Sequence, residues 1–440
     1  MKKLLTLLLF PLSLFATDVT KDTTISGTWN LRGKILNIYG KISGNGTIQN
    51  AVINANGYTQ IFDTTITLNN CRAREFSALW YGASPSNMDN GNALQHSIDA
   101  CVNQMDLFIP RGNYKFSKPL LIYSLSGKRY IGARLNMYGE ADMFYDGTTL
   151  TYTGLSATAI AFQYAKGGSF HNIKLQGQFV PPANRGAAYY NLAYNQFNDV
   201  TKRCSSAYNG IAIDYDGTLN SGGSTGLIIH DVWITGFDVL ISISPNGKTF
   251  NADVLTFTNV RLGNGRCGIQ SGQAQEKGNT INNIVAWDNL HTLISIGNAG
   301  KYQGGNYIIN GGNVAGSCIR LFNINERGWF SMYVNGLYAE SFGQIGTVLT
   351  GDGLYNPPIS FNNCNFDFAY PAQAGTQPLL YSNSNFIRFS NSMLRYYGEP
   401  SDTLHFMGSA TFDNCSFSGP VKSGPATQFI NYPPANAPRK

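Results

Sequence analysis

The 440-residue chain is short of charge. Asp, Glu, Lys and Arg together make up 13% of it, about half of what ordinary globular domains carry. With 48 Gly and 46 Asn, this composition excludes a charge-rich disordered chain, a coiled coil and a collagen. Strong helix formers are scarce as well, which argues against a helical bundle. The 31 Lys and Arg residues do not cluster into the basic stripe that a nucleic-acid partner requires. No His-x-x-x-His or Cys-x-x-Cys metal spacing occurs, and there is no nucleophile motif. Beyond residue 16 no stretch approaches 18 apolar residues, so no membrane span is expected. What is plentiful is Gly, Asn, Thr, Ser, Tyr and Phe. These favour a large all-β solenoid or barrel with turns made of Gly and Asn.

The first sixteen residues differ from the rest. Lys2 and Lys3 precede the apolar run Leu4–Phe10, then Pro11, more apolar residues and Ala16. A charged start, a short apolar core and a small residue before a polar segment make a secretory signal. The mature chain is therefore expected to be exported: secreted, periplasmic or on a cell surface.

Self-similarity decides the fold. A pattern of apolar residue, any residue, Asn or Asp, then usually a small or apolar residue recurs ten times. Its third position falls on Asn172, Asp199, Asp231, Asn259, Asn283, Asn310, Asn335, Asn363, Asn391 and Asn414, separated by 23 to 32 residues. Each unit also holds a second short apolar strand, such as Gly210–Asp214 or Val239–Ile243. Such runs are too short for helices and end in Gly, Asn or Asp. A parallel β-solenoid follows, in which each coil buries its inward residues by stacking on the next. The Asn and Asp residues are expected in one column, as a ladder of side-chain amides in a tight interior bend, with the next residue pointing inward. Three of the seven Cys follow a ladder-type Asn: Cys71, Cys364 and Cys415. They read as small core residues, and Cys364 and Cys415, two rungs apart, lie beyond disulfide reach.

One helix is expected near residues 90–103, with Asp89 or Asn90 as its cap and Leu94, Ile98, Cys101 and Val102 on its buried face. With its surroundings it carries a resemblance. Trp80-Tyr81-Gly82-Ala83, the Asp89-Asn90 cap, the helix, and Phe108-Ile109-Pro110-Arg111-Gly112-Asn113-Tyr114 resemble the opening segment of the pectate-lyase-like β-helix superfamily. The chain departs from that pattern at Asn90 and at Ser84–Met88. The resemblance implies a right-handed parallel β-helix whose helix caps the open end of the core. It further implies a carbohydrate partner, since members are mostly polysaccharide lyases, glycoside hydrolases or phage tailspike depolymerases. The stretch Ile42–Asp63 is similar to leader segments of bacterial and phage β-helical proteins, tailspikes included. The expected organisation is a signal peptide at 1–16, a β-rich leader at 17–78, the β-helix at 79–425 and a tail at 426–440. The polygalacturonase signatures Asn-Thr-Asp and Gly-His-Gly are absent, and no catalytic residue of the superfamily carries over.

Candidate residues come instead from the predicted rod. A hydrolase needs two carboxyl groups flanking one bond. Asp214 and Asp216 alternate with inward Ile213 and Tyr215, so both are expected to face outward on one strand. With Asp231 and Asp238 they form the densest acid cluster, and these four are the expected catalytic residues. The same acids also read as ladder substitutes, as solvated turn residues or as ligands of a structural calcium; no other cofactor is expected. Arg320, His405 and Glu340 are secondary candidates on outward strand positions. Sugar faces stack on exposed rings, which makes Tyr189, Tyr190, Tyr194, Trp233 and Trp287 candidate substrate contacts, with Arg320 beside them. Two functions remain open at this point. One is an exported monomeric enzyme that cleaves a polysaccharide. The other is a tailspike-like homotrimeric receptor-binding rod of a virion or cell surface.

Overall fold

The computed structural model describes residues 16–123, 132–140, 146–180, 206–214, 223–243, 252–272, 275–287, 289–297, 304–315, 320–326, 329–350, 358–368, 379–382, 386–396, 403–408, 410–424 and 427–431. Residues 1–15 of the expected signal segment, Asp199 and most of the expected tail lie outside them. The described residues form two parallel solenoids in series on one continuous apolar core that runs from Val19 to Phe417.

The leader is the narrower solenoid. Its strands of two to four residues pair in parallel sheets of four, three and two strands. The coil is 20 residues, and at one corner Asn30, Asn50 and Asn70 pass a hydrogen bond from rung to rung at 3.1 and 2.5 Å. The helix Gly91–Cys101 follows. The expected cap falls to Asp89, whose Oδ1 accepts from the Gly91 amide at 2.8 Å. Asn90 turns its side chain back to accept from the Ser84 amide. Leu94, Ile98, Cys101 and Val102 are buried. They pack between the leader strand Thr67–Asn69 and the first strands of the larger solenoid, Phe76–Ser77, Leu107–Ile109 and Leu120–Ile122. The helix thus covers the first coil of the main core, with the leader on its other side.

The larger solenoid is a right-handed parallel β-helix, the hand that parallel crossovers take. An 11-stranded sheet runs from Leu120–Ile122 to Val421–Lys422 and forms its first face. An 18-stranded sheet runs from Phe76–Ser77 to Gln428–Ile430 and is folded lengthwise into a second and a third face. The fold line is one residue wide. In Ser169–Gln176, Ile228–Thr235 and Thr256–Gly263 the fourth residue has positive φ: 56° at Asn172, 52° at Asp231 and 52° at Asn259. This left-handed conformation costs a side-chain-bearing residue about 1–2 kcal/mol, least for Asn and Asp. A ladder hydrogen bond contributes about 1 kcal/mol in return, so Asn occupies the bend at little net cost. The Asn259 amide donates to Asp231 at 2.8 Å, and Asn283 to Asn259 at 2.9 Å.

The expected single column is corrected on two points. First, the bend passes from Asn283 (54°) to Gly311 (68°) and Gly336 (66°), then to Asn363, Asn391 and Asn414. Asn310 and Asn335 stand one residue earlier. There they continue a neighbouring ladder, Asn310 to Asn282 at 3.1 Å, Asn335 to Asn310 at 3.1 Å and Asn362 to Asn335 at 3.0 Å. Glycine needs no ladder bond to take positive φ, so the chain changes column where Gly follows Asn. Second, the bend residues lie at the outer corner, half-buried to exposed, and not in an interior bend. The residues after Asn172, Asp231, Asn259, Asn283, Asn363, Asn391 and Asn414 are buried as expected (Ile173, Val232, Val260, Ile284, Cys364, Ser392 and Cys415). Gly311 and Gly336, after Asn310 and Asn335, take the bend themselves and leave the inward position after Gly336 to Leu337. Near the far end the core becomes an aromatic stack, Phe361–Phe389–Phe412–Phe429, with centroids 4.8, 5.0 and 5.4 Å apart.

A Cβ added to Gly336 would meet nothing within 4 Å, so substitution there tests the bend conformation alone. Gly336→Asn is expected to leave stability within about 0.5 kcal/mol, while Gly336→Val lowers it by about 2 kcal/mol. Urea unfolding midpoints measure the difference. Equal midpoints for the two variants contradict the left-handed bend.

Candidate functional site

The four expected catalytic acids do not meet. Asp214 follows the first-face strand Asn209–Ile213 and is buried, where outward exposure was expected. Its φ of 55° turns the chain sharply. Its carboxylate accepts from the Ser224 amide at 2.8 Å, the Ser224 hydroxyl at 2.6 Å and the Tyr164 amide at 3.2 Å. Burial raises its pKa, and these hydrogen bonds act against the rise. It anchors a turn between coils. Asp231 occupies the bend between the second and third faces, with His230 Nδ1 at 2.7 Å. Asp238 precedes the first-face strand Val239–Ile243, where Arg266 grips both its oxygens at 2.8 and 2.9 Å. Asp216 lies outside the described residues. The reason for the dispersal is the length of the coil. Residues 214 to 238 span most of one turn, so neighbours in sequence land on different corners.

Arg320 and Glu340 separate in the same way. Arg320 opens the first-face strand Arg320–Glu326, in register with Thr292 and Gln344, and is buried where a solvated position was expected. Glu340 belongs to the third face. Tyr189, Tyr190 and Tyr194 lie outside the described residues.

The two tryptophans do come together. After each bend residue, the first and third positions point inward and the second and fourth outward. The second positions place Lys174, Trp233 and Arg261 on consecutive strands in register. The fourth position after Asn283 is Trp287. Lys174 Nζ lies 4.0 Å from the centroid of Trp233, and Arg261 Cζ lies 4.2 Å from it, from the rung on the other side. Arg261 is also 4.1 Å from Trp287, which is 37% exposed. The result is a cation–aromatic strip along the rod axis, each contact adding on the order of 1 kcal/mol. It also changes what Trp233 offers. Cations lie against its ring from the rungs on both sides, so it presents an edge, while Trp287 is the more exposed of the two rings. Burial and the charge of Arg261 lower the pKa of Lys174. From Asn113 to Val285 the same outward column carries two cations and no carboxylate.

Further along the third face, the fourth positions after the bend bring Glu340, Asp367 and Arg395 into register on consecutive strands. Glu340 accepts from the Tyr338 hydroxyl at 2.9 Å. The Arg395 guanidinium binds both oxygens of buried Asp367, through Nη2 at 2.8 Å and through Nε. Lys174, Arg261, Asp367 and Arg395 were not singled out from the sequence. Counting from the bend residue of each repeat exposes all four. Among the described residues no group of three or more His, Cys, Asp or Glu side chains gathers as a metal ion would need. No described helix is long and apolar enough to cross a membrane.

His291, buried beside the Asp238–Arg266 pair, has its pKa lowered to about 4 by burial and then by the charge of Arg266. An unfolded chain takes up that proton near pH 6.5. Between these values the unfolded state holds more protons, so stability falls as pH drops from about 6.5 towards 4. The expected loss is about 3 kcal/mol, with no contribution above pH 6.5. Urea unfolding of the wild type and of His291→Gln across this range measures it as the difference between the two slopes. Parallel slopes contradict a neutral buried imidazole.

No family model matches the sequence, and no curated protein matches it. Solved structures do. DFA-IIIase from Arthrobacter chlorophenolicus A6, without its lid, is 11% identical, covering 79% of this chain and 89% of its own, with a TM-score of 0.47. A family 28 exopolygalacturonase from Yersinia enterocolitica is 13% identical, covering 84% and 80%, with a TM-score of 0.38. The tailspike protein of Acinetobacter baumannii phage AM24 is 12% identical, covering 82% and 55%, with a TM-score of 0.32. The parallel β-helix itself is established by the strand pairings of this chain.

Proposed function

We propose that the chain is an exported β-helical protein that binds an anionic extracellular polysaccharide along its third face and cleaves it there. The observation that carries this reading is the Lys174–Trp233–Arg261–Trp287 strip. A cation held against an aromatic ring is fixed in place before a ligand arrives, so little side-chain entropy is lost on binding. An extended polymer with carboxylate or sulfate groups matches the outward column from Asn113 to Val285, which among the described residues carries Lys174 and Arg261 and no acid. The exposed Trp287 ring adds a platform for one sugar ring. Cleavage is assigned to Glu340 and Asp367, about 14 and 19 Å along the face from Arg261 at three and four strand spacings. Carboxyl groups on adjacent strands can flank one glycosidic bond, one as acid and one as base or nucleophile. Tyr338 orients Glu340, and Arg395 fixes Asp367.

One observation favours a second reading, the receptor-binding rod. Asp367 is buried and clamped by Arg395, an arrangement that also serves structure alone. The two readings part on product formation.

Calorimetric titration with polygalacturonate, against dextran as the neutral control, is expected to show binding of the acidic polymer only. The Lys174→Ala, Arg261→Ala double variant should weaken it by about 100-fold or more, because each charge-assisted contact contributes about 1.5 kcal/mol. Reducing ends, or absorbance from an unsaturated product, should fall by about 100-fold in Glu340→Gln while binding persists. Binding of dextran as tight as that of polygalacturonate contradicts the anionic reading. Binding without any product from the wild type removes the enzyme and leaves the rod.

A further inference from the structure

A cavity of about 620 Å³ lies between the leader solenoid and the helix Gly91–Cys101, far from the third-face strip in the chain path. On the leader side its wall includes Thr47, Thr67 and Asn69; on the other side it includes Tyr81, His96 and Asp99. His96 and Asp99 are three residues apart on one helix and so share a face.

Asp99 is held ready. Gln95 accepts from the Leu121 amide at 2.8 Å and donates to the Leu121 carbonyl at 2.9 Å, which fixes its side chain across to the next strand. The same amide donates to Asp99 Oδ1 at 2.9 Å. Among the described residues no donor reaches Oδ2, and no Lys or Arg lines the cavity. Burial raises the carboxyl pKa, with the hydrogen bond from Gln95 and the charge of His96 acting against it. The His96 ring rests 5.9 Å from that of Tyr81, which is buried at the cavity floor with its hydroxyl bound to the Ile66 carbonyl.

The chemistry of this lining selects its ligand. With no cation present, an anionic group would be desolvated without a partner. The polar groups in the lining are a carboxylate, the hydroxyls of Thr47 and Thr67, the side-chain amides of Asn69, Asn103 and Gln104, and an imidazole, beside the Tyr81 ring. Vicinal hydroxyls on an apolar ring satisfy such a set, because each hydroxyl both donates and accepts. We propose that this cavity binds one neutral monosaccharide unit, with Asp99 accepting from its hydroxyls and His96 and Tyr81 lining its apolar side. It would act as an attachment site independent of the third-face strip.

Saturation-transfer NMR on the full chain, with methyl α-D-glucopyranoside and methyl β-D-galactopyranoside as probes, tests this. Transfer to at least one glycoside is expected for the wild type and for Arg261→Ala. Asp99→Ala should weaken binding by about 10-fold or more, since it removes a charge-assisted hydrogen bond. His96→Ala provides a second variant should Asp99→Ala fail to fold, and melting curves confirm that each variant is native. Absence of transfer to both glycosides, or affinity unchanged in folded Asp99→Ala and His96→Ala, overturns the proposal. So does loss of binding in Arg261→Ala, which would place the sugar on the third face. Displacement of the glycoside by millimolar calcium chloride would assign the cavity to a cation instead.

Discussion

From Ser169 onward the larger solenoid depends on one backbone conformation, the left-handed residue that folds the 18-stranded sheet into two faces. Without it, Ser169–Gln176 and its successors would be flat strands, and the 18-stranded sheet could not close around a core. The conformation is unfavourable for most residues by more than one ladder hydrogen bond returns. This restricts the position to Asn, Asp and Gly, and the restriction writes the repeat into the sequence. Inward packing then follows from the two-residue alternation on either side of the bend, and outward chemistry falls on the second and fourth residues beyond it.

The same bend decides which side chains can cooperate. In a coil of about 27 residues, groups close in sequence diverge to different corners, while groups one coil apart stand about 4.8 Å apart. Asp214, Asp231 and Asp238 illustrate the first case, tied respectively to Ser224, to His230 and Asn259, and to Arg266. Lys174, Trp233 and Arg261 illustrate the second, as do Glu340, Asp367 and Arg395. A functional face on this rod is therefore a column, assembled from residues that the sequence scatters over several coils. The third face has two such regions, cationic and aromatic towards the helix end, carboxylate-bearing further along.

Much of the fold was legible because the repeat has a physical cause. The inward residue after each bend, the burial of Cys71, Cys364 and Cys415, and the apolar face of the helix were all readable from position alone. The repeat pattern does not carry φ, so Asn310 and Asn335 match it as well as a bend residue does, although each is followed by a Gly that takes the bend. That one-residue slip displaced Glu340 from the position it shares with Asp367, so the pair stayed hidden. Trp233 and Trp287 were legible as candidate substrate-contact aromatics, and the structure places both on the outward third face, Trp287 the more exposed. The cations between them were not, since Lys174 and Arg261 are 87 residues apart in sequence and meet only through the register.

The central claim is that the outward third face, from Lys174 to Trp287, is a ligand surface. Hydrogen–deuterium exchange with and without polygalacturonate tests it most directly. Protection is expected in Ser169–Gln176, Ile228–Thr235 and Thr256–Gly263, with the first-face strands Val239–Ile243 and Gly265–Ser271 unchanged. Protection confined to the first-face strands would contradict it.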